Sequence, residues 1–422
     1  SCQEKAKDSF MQFISDPTQS ELVLSGYAGT GKSFLINYLL DVLPSQETIL
    51  RSLGHTTMYS DSIYVTATTR KAAKVVADLL GCEPSTIHSL LGLKVKKNYT
   101  DGETYLQSEL STISDSLIII DEASYINADL LSCIRSSTRN CKVVYLGDPC
   151  QLLPPKSPNA PVFSDSTITT ANLTTVMRND GIIDEMSAQW RNVVLNTPVA
   201  ELKVDHNNIL WVNDDKVFQQ LLIDEFTSPA FIHEQSAKFL AWTNKRVQEA
   251  NDFVLYQRGH TNMFTADEPL LANEPIIKDS TIIVGTDQMV NIISHVETTY
   301  TSGQYSLPAY LVTLSGYQQI KVAKYANDRS ELLKLISKAR NWREYYRVKE
   351  ELCDMRPAYA STVHKSQGST YNKTFIDLTD ISRCTNPNDF ARMMYVAISR
   401  TKEQVIMFGQ LPEKYQGVMN GD

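Results

Sequence analysis

Gly26-Tyr27-Ala28-Gly29-Thr30-Gly31-Lys32-Ser33 is the stretch that decides the fold of the first third of this chain. It matches G-x-x-x-x-G-K-[ST], a loop whose glycines let backbone N–H groups turn inward around phosphates. Before it, Glu21-Leu22-Val23-Leu24-Ser25 reads as a short buried strand; after it, Phe34 to Leu43 has helical spacing. The helix N-terminus adds a partial positive charge that favours an anion. The reading therefore gives Gly26, Ala28, Gly29, Thr30, Gly31 and Lys32 to a nucleoside triphosphate. Lys32 reaches the β/γ-phosphates and Ser33 holds Mg2+.

Further along, Ile63-Tyr64-Val65-Thr66-Ala67 reads as a second strand, followed by a helix through Ala72, Ala73, Val75, Val76 and Leu79. Leu117 to Ile120 and Val143 to Leu146 read as two more strands. Strands alternating with helical patterns predict a parallel sheet covered on both faces, an α/β fold. Ile118-Ile119-Ile120-Asp121-Glu122 delivers two adjacent carboxylates to the C-terminal edge of that sheet, where ligands bind in such folds. Asp121 is the expected Mg2+ partner, and Glu122 the expected general base for an attacking water. At the end of the next strand, Gly147-Asp148-Pro149-Cys150-Gln151-Leu152 puts the neutral amide of Gln151 where it can sense a γ-phosphate.

Between Leu93 and Leu110 the pattern breaks. Lys94, Lys96 and Lys97 lead into Asn98-Tyr99-Thr100-Asp101-Gly102, and Asp-Gly between two short runs is a hairpin signal. A second α/β unit begins near Asn179, with a strand at Lys238–Trp242 and a helix after Asn244. From about Pro269 to Pro357 the chain turns β-rich, then gives one charged helical stretch from Ser330 to Leu352. The α/β pattern resumes at Ala358 and ends in the strand Gln404–Phe408.

The bulk numbers set few limits. The seven cysteines, at 2, 82, 133, 141, 150, 353 and 384, contain no C-x2-C pair and read as reduced thiols. No run approaches the ~20 apolar residues of a membrane span, and the first residues carry no signal region. The expectation is a cytoplasmic protein with no membrane partner; its first residue is Ser, so a few residues are expected to precede it. A net charge of −8 speaks to solubility, whereas a nucleic-acid groove needs only a local basic lining. Composition thus leaves the partner open.

Taken in order, these segments resemble the Dda-like group of superfamily 1 (SF1B, RecD/Pif1-like) DNA helicases of T-even-type bacteriophages. Gln3 stands where that family has an adenine-reading glutamine. Val65–Ala73 resembles motif Ia, with Thr68-Thr69-Arg70 where relatives carry Pro-Thr-His, and Ser85-Thr86-Ile87-His88-Ser89 resembles a Thr-Ile-His-Ser segment. Leu173–Arg178 resembles motif IV, Ala241–Lys245 a Thr-Asn segment, Ser361–Ser369 motif V and Tyr395–Thr401 motif VI.

The resemblance implies two RecA-like P-loop domains with ATP bound between them. Residues 1–92 and 111–178 would form motor domain 1A, 93–110 a pin hairpin, 179–268 and 357–422 motor domain 2A, and 269–356 an inserted SH3-like subdomain with a helical extension. It implies ATP and Mg2+ as cofactors, Arg178 and Arg400 as arginine fingers, and Gln367 and Gly368 beside the nucleotide. It also implies strand contacts at Thr69, Arg70, His88, Thr243, Asn244, Thr362 and His364. Tyr105 or Tyr99 would meet the fork. The expected activity is ATP-driven 5′→3′ translocation on single-stranded DNA with unwinding of forked DNA, in phage replication, recombination or repair. A single-strand-binding protein is a possible partner, and the expected state is a monomer in the bacterial host cytoplasm. The alternatives are an RNA-directed helicase of the same superfamily or an ATP-dependent nucleic-acid-binding switch.

Overall fold

The computed structural model describes residues 2–54, 59–100, 102, 104–108, 112–154, 157, 159–175, 181–197, 207–234, 236–265, 268–278, 281–316, 318–413 and 415. The chain divides into two compact units. The first comprises Ser1–Lys96, Leu106–Ala200 and Ala391–Ser399, the second Lys97–Tyr105, Glu201–Phe390 and Arg400–Asp422. Three segments therefore group differently from the sequence expectation: 97–105 with the second unit, and 179–200 and 391–399 with the first.

The main strands of the first part of the chain are β1 (Glu21–Gly26), β2 (Ile63–Ala67), β3 (Ser85–Thr86), β4 (Leu93–Lys97), β5 (Thr104–Ser108), β6 (Leu117–Asp121), β7 (Lys142–Gly147) and β8 (Thr169–Leu173), beside a short pair at Ile113–Ser114 and Thr138–Arg139. Six of them form one sheet in the order β8-β1-β7-β6-β2-β3, with every pairing parallel. The sheet is built by alternation. Leu117 and Ile119 join one apolar cluster with Phe10, Leu35 and Leu39, while Ile118 and Ile120 join another with Leu130 and Ile134. Each isoleucine is fully buried, and such burial contributes about 1.5–3 kcal/mol per side chain. Helices α1 (Cys2–Ser15), α2 (Lys32–Ser52), α3 (Arg70–Leu80) and α4 (Ile87–Leu90) belong to the same unit. Sequence reading found β1, β2, β6 and β7, the four apolar runs. It missed β8, whose Thr169-Thr170-Ala171-Asn172-Leu173 alternates exposed and buried residues in its second half. β4 and β5 pair as a separate two-stranded sheet.

In the second unit, β9 (Ile209–Val212) and β10 (Ala237–Ala241) precede a region of antiparallel character containing β11 (Ile292–Ser302), β12 (Tyr305–Leu314), β13 (Gln319–Ala323) and β14 (Leu352–Cys353). Then come β15 (Ala360–Thr362), β16 (Tyr371–Asp377) and β17 (Thr401–Phe408). A second all-parallel sheet has the order β9-β17-β16-β10-β15. Phe218, Phe226, Phe231, Phe239, Tyr359 and Phe375 pack on it as an aromatic core. The two ends of the inserted region meet, because Leu270 pairs with Pro357. Helices α5 (Asn244–Gln257), α6 (Ala326–Lys338), α7 (Trp342–Glu351) and α8 (Val363–Ser366) lie in this unit, whereas α9 (Pro387–Ser399) belongs from Ala391 onward to the first. The single charged helix expected from 330 to 352 is two helices. Arg340 adopts a left-handed φ of 54°, and the Asn341 side chain accepts the Glu344 N–H to start α7.

Candidate functional site

Because the first sheet is parallel, the C-terminal ends of β1, β7, β6, β2 and β8 share one edge. Gly26 is level with Leu173, Ser25 with Gly147, and Ala67 with Asp121. Neighbouring strands lie about 4.8 Å apart, so the Gly26–Ser33 loop and Asp121, separated by β7, stand on the order of 10 Å apart. Gly31 opens α2 in the left-handed conformation (φ 79°) and offers no side-chain cap, which leaves the first-turn N–H groups of α2 to an anion. The Lys32 ammonium donates to the carbonyls of Gly26 (2.5 Å) and Tyr27 (3.0 Å). A Cβ on Gly26 would lie 2.6 Å from Thr30 Oγ1 and 2.9 Å from Leu173 Cβ, so only glycine closes the loop. A cation, a helix N-terminus and a glycine-lined curve fit a polyphosphate. Ser33 is half-buried, as is Asp121. Among the described residues no group of three His, Cys, Asp or Glu could hold a metal alone. One hydroxyl and one carboxylate suit Mg2+, which keeps waters and shares substrate phosphates.

Glu122 follows Asp121 in a left-handed conformation (φ 54°), a strain of about 1–3 kcal/mol for a residue with a side chain. It is held there from both sides. Its N–H donates to Asp121 Oδ1 (2.8 Å), and its carbonyl accepts the Thr68 hydroxyl (3.0 Å). Gly147 lets this turn approach: a Cβ there would lie 2.8 Å from Phe163 Cζ and 3.3 Å from the Ala123 and Ser124 nitrogens.

The turn after Gly147 carries a cluster that sequence reading did not assign. Asp148 is fully buried; its Oδ1 accepts the Cys150 N–H (2.9 Å) and its carbonyl accepts the Gln151 N–H (3.2 Å). Its Oδ2 accepts the Tyr395 hydroxyl at 2.5 Å, and that hydroxyl accepts the Ala28 N–H at 3.0 Å. One turn earlier on α9, Arg392 Nη1 donates to the carbonyls of Pro149 and Gln151, both at 2.6 Å. Burial and the neighbouring Asp148 carboxylate push the Tyr395 hydroxyl well above its ordinary range, so it stays a donor. Gln151 itself is buried. The i, i+3 spacing of Arg392 and Tyr395 put both on one helix face, but nothing in the sequence says what that face meets.

Arg178 lies outside the described residues. Gln3 is half-buried in the first turn of α1. Beside it, the Thr175 hydroxyl brings the Cys2 thiol down to about 7. Thr69 caps α3 by accepting the Ala72 N–H (3.2 Å), and Arg70 is exposed in its first turn, where the helix end itself favours an anion. Burial pulls the His88 imidazole below its ordinary 6.5, so it is neutral at pH 7. In the second unit, Thr243 caps α5; its N–H and hydroxyl donate to the buried Asp380 at 2.7 and 2.9 Å. Asn244 is exposed and its Oδ1 accepts from Arg356 (3.3 Å). His364 is exposed on α8, whereas Thr362 is buried and its hydroxyl accepts the Lys365 N–H (3.3 Å), so it shapes the turn rather than offering a surface contact. Gln367 is buried, Gly368 has a φ of 77°, and Arg400 is half-buried one residue past α9.

The hairpin tip is fixed within the second unit by α7. Lys97 pairs with Glu350 and lies over the Tyr346 ring (4.9 Å to its centroid). Tyr346 donates to the Gly102 carbonyl (2.9 Å), and its ring meets Tyr99 edge-on at 6.0 Å. Tyr105 on β5 is 57% exposed and Tyr99 55%; among the described residues it is Tyr99 whose ring meets α7.

Comparison with known proteins gives two family matches. A model described as AAA domain matches residues 6–213, and one described as UvrD-like helicase C-terminal domain matches 357–408; together they cover more than half of the chain. The chain is 23% identical to the ATP-dependent DNA helicase dda of Enterobacteria phage T4, over 91% of this chain and 93% of that protein. It is 21% identical to the uncharacterized protein R530 of Acanthamoeba polyphaga mimivirus, over 96% and 98%. Among solved structures, a Bacteroides Pif1 helicase in complex with ADP-AlF3 and ssDNA is 16% identical with a TM-score of 0.49, over 96% of this chain and 91% of that chain.

Proposed function

The chain belongs to the Dda- and Pif1-like branch of the superfamily 1 helicases, and from that premise we propose that it is an ATP-driven motor that moves 5′→3′ along single-stranded DNA and separates the strands of a duplex. The observation that carries the reading is the shared sheet edge. The Gly26–Ser33 loop, the Asp121-Glu122 pair and the Gly147–Gln151 turn all end there.

In this reading Lys32 and the α2 N–H groups bind the phosphates, and Ser33 with Asp121 holds Mg2+, which neutralises phosphate charge when bound. Glu122 orients the attacking water and takes its proton. Arg178 and Arg400 neutralise the charge that develops on the transferred phosphoryl group; arginine fingers of this kind are worth about 10³–10⁵ in rate in other enzymes. Thr69, Arg70, His88, Asn244 and His364 contact the translocated strand, and His88 does so as a neutral hydrogen-bonding group. Sequence-independent tracking by stacking and backbone contacts suits such a set. Tyr105 meets the fork; the docking of Tyr99 against Tyr346 and the bracing of the tip by α7 support that place. Both candidate arginines and the loop lie in one chain, which supports action as a monomer. A single-strand-binding protein that covers the displaced strand is the natural companion, in the cytoplasm of a bacterial host.

ATP hydrolysis measured alone, with single-stranded DNA and with single-stranded RNA tests the reading. Stimulation of at least tenfold by DNA and much less by RNA is expected; equal stimulation by both would make it an RNA- or dual-directed enzyme, and none by either would end the motor reading.

A further inference from the structure

The cluster around Tyr395 joins three segments through one helix face. Tyr395 Oη bridges the Ala28 N–H in the phosphate loop and the buried Asp148 carboxylate, while Arg392 holds the carbonyls on either side of Cys150. The side chain of Gln151 is therefore carried by a turn pinned to α9 through the Asp148 carboxylate and the Pro149 and Gln151 carbonyls. The later turns of α9 are packed in the interior: Ala391 and every residue from Met393 to Ile398 is at most 1% exposed. The helix ends at Ser399, and Arg400 is the next residue.

A buried hydroxyl that both accepts from one element and donates to a carboxylate on another is costly to leave half-satisfied. A shift of the turn by a fraction of an ångström must then either break these bonds or carry α9 with it. Resting on the motor reading above, we propose that Arg392 and Tyr395 are positioning residues that carry movement of the Asp148–Gln151 turn along α9 to Arg400. Neither touches the reacting atoms; each acts through the arginine that follows the helix.

A double-mutant cycle on kcat for ATP hydrolysis tests this. Tyr395→Phe keeps the ring and removes only the bridging hydroxyl, and is expected to lower kcat about tenfold. Arg400→Lys in the wild-type background is expected to lower it about 10²-fold. If Tyr395 works through Arg400, the Arg400→Lys penalty shrinks at least threefold in the Tyr395→Phe background. An equal penalty in both backgrounds overturns the proposal, because loss of folded protein scales both rates alike. Arg392→Met, which keeps the aliphatic stem, repeats the cycle should Tyr395→Phe fold poorly, and the same two outcomes decide it. The cycle can be run with or without DNA. A wild-type chain that ignores DNA would therefore sink the motor reading while leaving the cycle readable.

Discussion

Gly102→Ala tests whether the hairpin must be docked on α7 for unwinding. Gly102 has a φ of +78°, and a Cβ there would lie 2.5 Å from two Trp342 ring carbons and 2.6 Å from a third. Carbon atoms pack at about 3.5–4.0 Å, so the ring or the tip must retreat by roughly 1 Å. An alanine in the left-handed region costs about 1–2 kcal/mol. If the tip lifts, the Tyr346 hydroxyl bond to the Gly102 carbonyl is lost as well, about 1 kcal/mol more. A total of about 2–3 kcal/mol shifts the balance between docked and undocked tip by roughly 30- to 150-fold, partly offset because the Lys97–Glu350 pair can persist. The assay compares single-turnover unwinding of a forked duplex with ATPase stimulated by single-stranded DNA. Unwinding is expected to fall at least tenfold while the ATPase stays within twofold. Equal losses in both, or none in either, would refute the idea that a braced hairpin splits the duplex.

Three further outcomes follow from the same geometry. Glu122→Gln should retain ADP and ATP binding by isothermal titration yet lose turnover about 10²–10⁴-fold; near-normal turnover would remove Glu122 as the base. Asp380→Ala removes the acceptor for the Trp242 N–H and for the Thr243 N–H and hydroxyl, and should destabilise the second unit by about 2–4 kcal/mol in denaturant melts, with Asp380→Asn recovering part of it. Cys2, with its thiol near 7, should be alkylated by iodoacetamide with a rate that rises with pH and is half-maximal near pH 7. Burial pushes Cys150 to about 12 and Cys353 to about 11, so both should stay unmodified at pH 8 in the folded protein.

Much of the first unit could be read from the chain alone because its signals are local. A glycine pattern flanked by a strand and a helix, and apolar runs that end in Asp121-Glu122 and Gly147-Asp148, state their own geometry once the sheet is parallel. β8 was missed because its first half is exposed, and strand order depends on partners that pattern cannot supply. The helix break at Arg340 was missed for a similar reason. Its left-handed φ falls on a residue that usually avoids it, so no glycine marks the turn. Asp148 and Tyr395 each lie within a legible motif, yet their bond spans 247 residues and no spacing rule connects them. Thr362 reads as a contact in the motif and as a buried cap in the structure, since a threonine's two uses look the same in sequence.

Strand displacement separates a translocating motor from a nucleic-acid clamp. Duplexes tailed at one end only, 5′ or 3′, are offered with ATP and Mg2+ to the wild-type chain and to Lys32→Ala. A 5′→3′ motor gives ATP-dependent displacement from the 5′-tailed duplex by the wild type, little from the 3′-tailed one, and none by Lys32→Ala. ATP hydrolysis stimulated by DNA with no displacement from either tail would contradict the motor reading, and would make the chain a nucleic-acid clamp rather than a motor.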